Sequence, residues 1–215
     1  MIKGVPIVIL LYTAWQVLFT ALVSPLALGI LTARQMGFTL EKATLGLAVG
    51  LVMAILLGYA AARTAIGLKM YTRGFRNIRS KEDFEETWKI QLYGSYDGVI
   101  AETHWSGAVL PLLIGIFSIL GIFFPFNVAL AVLTRWTLHV GVHAVLPRKA
   151  SGETAVGTIG FVALGLLFMD IVSSFCFLLA SNIVAPIIVH TLAAPISQLL
   201  GSKRRIADSL GISIE

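Results

Sequence analysis

Residues 181–200, SNIVAPIIVHTLAAPISQLL, are apolar over a length that crosses a bilayer, and a histidine lies near the middle. No charge stands beside His190 in sequence, and Pro186 and Pro195 flank it. A titratable side chain at that depth in hydrocarbon is costly, so His190 reads as a functional position with a partner elsewhere in the chain. The other three histidines, His104, His139 and His143, also lie in or at the ends of apolar runs. The fold is therefore constrained to gather these groups inside a membrane.

The composition agrees. The 215 residues are 57% hydrophobic and 13% charged, about half the usual share of charge for a soluble domain. The net charge of +5 sits in short segments between the apolar runs, which fits topology signalling rather than nucleic-acid binding. Cys176 is the only cysteine, so neither a disulfide framework nor a thiolate cluster is available. The opening apolar run is longer than the core of a cleavable signal and reads as a retained first helix.

The expected fold class is all-α, a single polytopic bundle of about six transmembrane helices over residues 6–32, 43–68, 99–124, 128–146, 154–180 and 183–200. Pro125 and Asn127 mark the turn between the third and fourth. Gly46 and Gly50 form a small-xxx-small pair that permits close helix contact or arises by chance in a glycine-rich helix. Residues 69–91 hold Arg73, Arg76, Lys81 and then Glu82, Asp83 and Glu85, a charged connector. Lys203, Arg204 and Arg205 make a basic tail in residues 201–215. These basic clusters share one side if six helices alternate, so both termini are expected in the cytoplasm, and the chain in the cell membrane as a multi-pass protein with lipid as a partner.

The chemistry rests on few residues. His139 and His143 lie one helical turn apart on one face, a spacing that can chelate a metal. A carboxylate and a third histidine, His190, would complete an open site for a divalent ion such as zinc that activates water. Without metal, Glu102 is the expected general base, with a histidine orienting water or stabilising an oxyanion. Asp170 and Arg135 either pair with each other or take a catalytic part. Trp105 and Trp136 are expected to pack.

SNIVAPIIVHTLAAP resembles the last signature of the CPBP (Abi) membrane proteins, relatives of the type II CAAX prenyl endopeptidases, with His190 at the motif histidine. AETHWSG, 101–107, is similar to that family's glutamate motif: Glu102 matches the second glutamate, Trp105 the aromatic and Gly107 the glycine. HVGVH represents the middle motif, with His143 as its histidine and His139 in the place of the aromatic. The match covers 101–195, less than half the chain. It implies an intramembrane endopeptidase acting on membrane-embedded or lipid-anchored peptides, with Glu102, His143 and His190 as catalytic residues. The chain departs from the pattern at Ala101, where the family has the water-activating glutamate, at Ser106, where it has arginine, and at Ala194, where it has a polar group. Those departures motivate a second expectation, a non-catalytic relative serving as partner or assembly subunit of a membrane complex. A third is a haem- or metal-binding protein built on the histidines.

Overall fold

The structure is a computed structural model that describes the backbone of residue 14 and of residues 29–63, 98–145 and 155–210. Side chains are described for residue 14, 29–63, 98–142, 163–197 and 200. The expected first span, apart from Ala14 and residues 29–32, lies outside these limits, as does the charged connector at 69–91. The described residues fold as five helices without a strand: α1 (Ala43–Arg63), α2 (Gly98–Ile119), α3 (Phe126–Val145), α4 (Ala155–Ala180) and α5 (Val184–Leu210). Among the described residues three helical stretches are long and apolar enough to cross a membrane: Ala43–Arg63, Gly98–Ile119 and Ala163–Ala180. The apolar parts of α3 and α5, Phe126–Val142 and Val184–Ser197, are shorter. These helices make the chain a membrane protein of the all-α class.

Lipid removes the usual driving force for packing, because acyl chains are as apolar as leucine, so helices associate through close fit and polar contacts. Helix α1 shows this plainly. Gly46, Gly50, Ala54, Gly58 and Ala62 are buried at every fourth position, with Ala61 buried beside the last. A Cβ at Gly50 would stand 2.8 Å from the Ala185 carbonyl oxygen, and one at Gly58 2.9 Å from that of Ala193. The backbone of α5 thus fills the groove that the missing side chains leave. The Gly46–Gly50 pair belongs to a packing stripe rather than to chance. On the outer face Leu47, Leu51, Val52, Ile55 and Leu56 are exposed, as lipid requires.

Two polar turns meet at one end of the bundle. Gly37, at φ +82°, occupies a left-handed position that favours glycine, and its carbonyl accepts the Ile183 N–H at 3.1 Å. Asn182 Nδ2 donates to the Thr39 carbonyl at 2.6 Å, while Asn182 Oδ1 accepts the Val184 N–H at 2.8 Å and opens α5. Phe177 of α4, Leu110 of α2, Ala131 of α3 and Ile183 form a buried cluster just below.

The α2–α3 turn departs from expectation. Helix α2 ends at Ile119, five residues before the expected end at 124, and the break is set by Gly121 at φ +80°. The Ile122 N–H donates to Phe117 O at 2.9 Å and the Gly121 N–H to Ser118 O at 3.0 Å, the paired bonds of a Schellman cap. Pro125 stands just ahead of α3 instead of ending α2. At the other extreme α5 continues past the expected 200 to Leu210, so the basic residues at 203–205 are helical.

Candidate active site

Three helices each carry a polar pair four residues apart, which places both members on one face. The pairs are Glu102 and Ser106 on α2, Arg135 and His139 on α3, and Asp170 and Ser174 on α4. Ser173 joins the last pair and His190 enters from α5. All four faces turn inward onto one centre.

Arg135 is its hub. Nη2 lies 3.1 Å from Glu102 Oε2 and 3.0 Å from Asp170 Oδ1, so one guanidinium bridges two carboxylates. Nη1 donates to Ser106 Oγ and Ser174 Oγ, both at 2.9 Å. The remaining oxygen of Glu102, Oε1, lies 2.9 Å from His190 Nδ1 and accepts Ser173 Oγ at 3.2 Å. Ser106 Oγ donates to Oε2. Glu102 therefore has two partners on each oxygen, the arrangement that makes a buried carboxylate tolerable. On the far side of Arg135, His139 Nδ1 sits 3.1 and 3.2 Å from the two oxygens of Asp170. The result is a chain of contacts His190–Glu102–Arg135–Asp170–His139 through four helices.

Local backbone geometry helps to aim these groups. Residues Thr103–Val109 form a π-helical segment, closed by the Leu110 N–H on the Trp105 carbonyl. Six consecutive residues, His104 to Val109, are buried there, a distribution the one-sided face of a boundary helix does not give. Such widened turns occur often at functional sites. The Trp105 ring stacks on His139 with centroids 4.8 Å apart, and His104 meets Trp105 edge-on at the same distance. Trp136 packs lower, its Nε1 donating to the Ala163 carbonyl at 2.8 Å.

Exposure separates the members. The Glu102, Arg135 and Asp170 side chains are 0% exposed, whereas His190 is 20% exposed. His190 is thus the most reachable member of the chain of contacts. Because Glu102 Oε1 accepts, the proton between them belongs on Nδ1, and Nε2 is the acceptor of the neutral ring. Gly98, at the start of α2, gives the imidazole its space: a Cβ there would lie 3.1 Å from His190 Cδ2.

Of the expected site residues, Glu102 and His190 are in direct contact. His139 is bonded to Asp170, one arginine away from Glu102. The backbone of His143 continues α3 one turn beyond His139, and its side chain lies outside the described residues. Arg135 and Asp170 do pair, and both also bind other members of the centre. Ala101 is buried with Trp105 and Val109 and brings no carboxylate to the position where the resemblance expects one. Ser106, in the place of the expected arginine, receives one from α3 instead. Ser173 and Ser174 were not anticipated; the signal was their position three and four residues after Asp170 in an apolar helix.

A divalent ion such as zinc on His139, His143 and His190 is one expectation from the sequence, and the side chain of His143, one of the three ligands, lies outside the described residues. Among the described residues no three of His, Cys, Asp and Glu stand together as ligands of one ion. Arg135 supplies the cation between the carboxylates of Glu102 and Asp170. Comparison with known proteins gave no match among family models, curated proteins or solved structures.

Proposed function

We propose that this chain is a divergent CPBP-like intramembrane endopeptidase, a six-span protein of the cell membrane with both termini in the cytoplasm, acting on membrane-embedded or lipid-anchored peptides. The observation that carries the reading is the contact between Glu102 and the partly exposed His190 at 2.9 Å. It assigns the roles differently from the sequence expectation. Glu102 is fully buried and engaged on both oxygens, so it orients the imidazole and stabilises its charged form. His190 Nε2 takes a proton from water; the hydroxide adds to the scissile carbonyl; the proton then passes to the leaving amine. Arg135 keeps the glutamate in place, and Asp170 and His139 hold Arg135 from the other side.

The test is cleavage of a membrane-peptide library by the purified protein in lipid. His190→Ala is expected to abolish cleavage, and Glu102→Gln to reduce it by roughly the 10²–10⁴ typical of losing an oriented acid–base group. Cleavage by His190→Ala at the wild-type rate overturns the proposal.

A second reading, a non-catalytic subunit of a membrane complex, is favoured by Ala101 and by the full engagement of Glu102. There the same contacts only staple helices. Retention of complex assembly by His190→Gln, with no hydrolysis by the wild type, supports it.

A further inference from the structure

Helix α1 gives the depth of the polar centre. Its 21 residues, Ala43–Arg63, are about 30 Å long, the thickness of a bilayer's hydrocarbon. Charge marks both ends. Glu41 and Lys42 are exposed just ahead of it, with Glu41 3.9 Å from Arg34. Exposed Arg63 closes it, the guanidinium lying over the Tyr59 ring at 5.0 Å. Helix α5 runs parallel to α1 and in step with it. A Cβ on Gly50 would stand 2.8 Å from both the Ala185 carbonyl oxygen and Ile188 Cβ. One on Gly58, eight residues on, would stand 2.9 Å from the Ala193 carbonyl oxygen and 2.8 Å from Ile196 Cβ. His190 is therefore level with residues 52–55 of α1, about 15 Å from either end.

Three other helices agree. His190 is also the middle of Val184–Ser197, the apolar part of α5. Arg135 lies near the middle of Phe126–Val142, and Asp170 and Ser173 straddle the middle of Ala163–Ala180. Helix α2 is offset: Glu102 lies near the start of Gly98–Ile119 and reaches the same level through its contact with His190 at 2.9 Å. The most reachable group of the centre thus stands halfway through the hydrocarbon.

Depth selects the substrate. A lipid-anchored peptide enters the bilayer by its hydrocarbon chain, and its peptide bonds stay at the polar surface. To bring one of them to His190, roughly four or more extended residues must be drawn inward, at about 3.3–3.6 Å each. Their N–H and C=O groups would find no partners in hydrocarbon. A membrane-crossing helix already holds a peptide bond at that depth, with its backbone satisfied above and below. Resting on the endopeptidase reading, we infer that the substrate of this centre is a transmembrane segment, cut near the middle of its span. One water is consumed per cut: its hydroxide joins the carbonyl carbon, the C–N bond breaks, and the proton taken up by His190 Nε2 goes to the amine. A helix must unwind locally to offer that bond, so Gly or Pro within about one turn of mid-span favours cutting.

Two measurements separate depth from chemistry. Nitroxides at Leu45→Cys, Val52→Cys and Tyr59→Cys, in a Cys176→Ala background, sit on one exposed face of α1 at steps of about 10 Å. The full chain is read in phosphatidylcholine–phosphatidylglycerol vesicles, with Ile55→Cys as a second central position should Val52→Cys not fold. The ratio of oxygen to nickel-chelate relaxation is expected to be several-fold higher at Val52 than at both flanking positions. A ratio that rises steadily from one flank to the other puts the centre near a surface and overturns the inference, whether or not the protein is an enzyme. Unlabelled protein is then incubated in the same vesicles with the membrane-peptide library, and the cut sites are read by mass spectrometry. Cuts about eight to twelve residues inside an apolar run, lost in His190→Ala, are expected. Cuts within about four residues of its ends, also lost in His190→Ala, overturn the inference and leave the endopeptidase reading standing. Absence of any cut that depends on His190 overturns that reading and the inference with it.

Discussion

Replacing Arg135 by methionine tests whether the buried centre is held by one cation. Methionine keeps the length of the side chain and removes its charge and donors. The structure loses two ion pairs, at 3.1 and 3.0 Å, and two hydrogen bonds to serine hydroxyls at 2.9 Å. Glu102 and Asp170 remain fully buried without their shared counter-charge. Breaking a buried pair by removing one partner costs about 3–5 kcal/mol. Taking about 4 kcal/mol, the folded-to-unfolded ratio falls roughly a thousandfold. The two pairs share one guanidinium, so their losses do not simply add. Neutralising the carboxylates as well, in Arg135→Met/Glu102→Gln/Asp170→Asn, removes the stranded charges and is expected to restore stability to within about 2 kcal/mol of wild type. Reversible unfolding in mixed micelles measures both variants. A single variant within about 1 kcal/mol of wild type, or a triple variant no better than the single, refutes the hub role.

Gly58→Val drives a side chain against the Ala193 carbonyl and Ile196, at 2.9 and 2.7 Å from the first added carbon, so α1 and α5 must separate. A loss of about 1–3 kcal/mol is expected in thermal unfolding. Asn182→Ala removes the Thr39 bonds and the cap on Val184, and a loss of about 1 kcal/mol follows in the same assay. Gly98→Ala presses on the His190 ring at 3.1 Å while leaving the charged centre intact. Peptide cleavage is expected to fall at least several-fold with little change in melting temperature; parallel loss of both would instead mean a packing role.

Much of the architecture could be read in advance because lipid imposes a length rule. The span at 154–180 agrees with α4, Ala155–Ala180, and the start of α1 at Ala43 agrees as well. The end of α2 was misread because Pro125 is the more conspicuous helix breaker. The stop is made by Gly121, whose left-handed conformation lets two carbonyls be capped within an apolar turn. The extension of α5 was hidden by the change from apolar to basic residues, which marks a membrane boundary but not the end of a helix.

At the site, the partnership of Glu102 with His190 was legible because each is costly alone in lipid. The bridging by Arg135 was only half legible. Charges on separate helices can pair in several ways, and one-dimensional spacing does not say which faces meet. Ser173 and Ser174 looked unremarkable beside seven or more apolar neighbours, yet their hydroxyls complete the coordination of Glu102 and Arg135. The π-helical turn at Thr103–Val109 has no residue signature and alters which side chains point inward.

The most direct measurement is a magnetic-resonance distance between ¹⁵N-labelled Nδ1 of His190 and the ¹³C-labelled carboxyl carbon of Glu102, with the protein in lipid. A hydrogen bond of 2.9 Å between Nδ1 and Oε1 predicts a strong through-space coupling that vanishes in His190→Gln. Absence of that coupling in the wild type, or its survival in His190→Gln, would contradict the account.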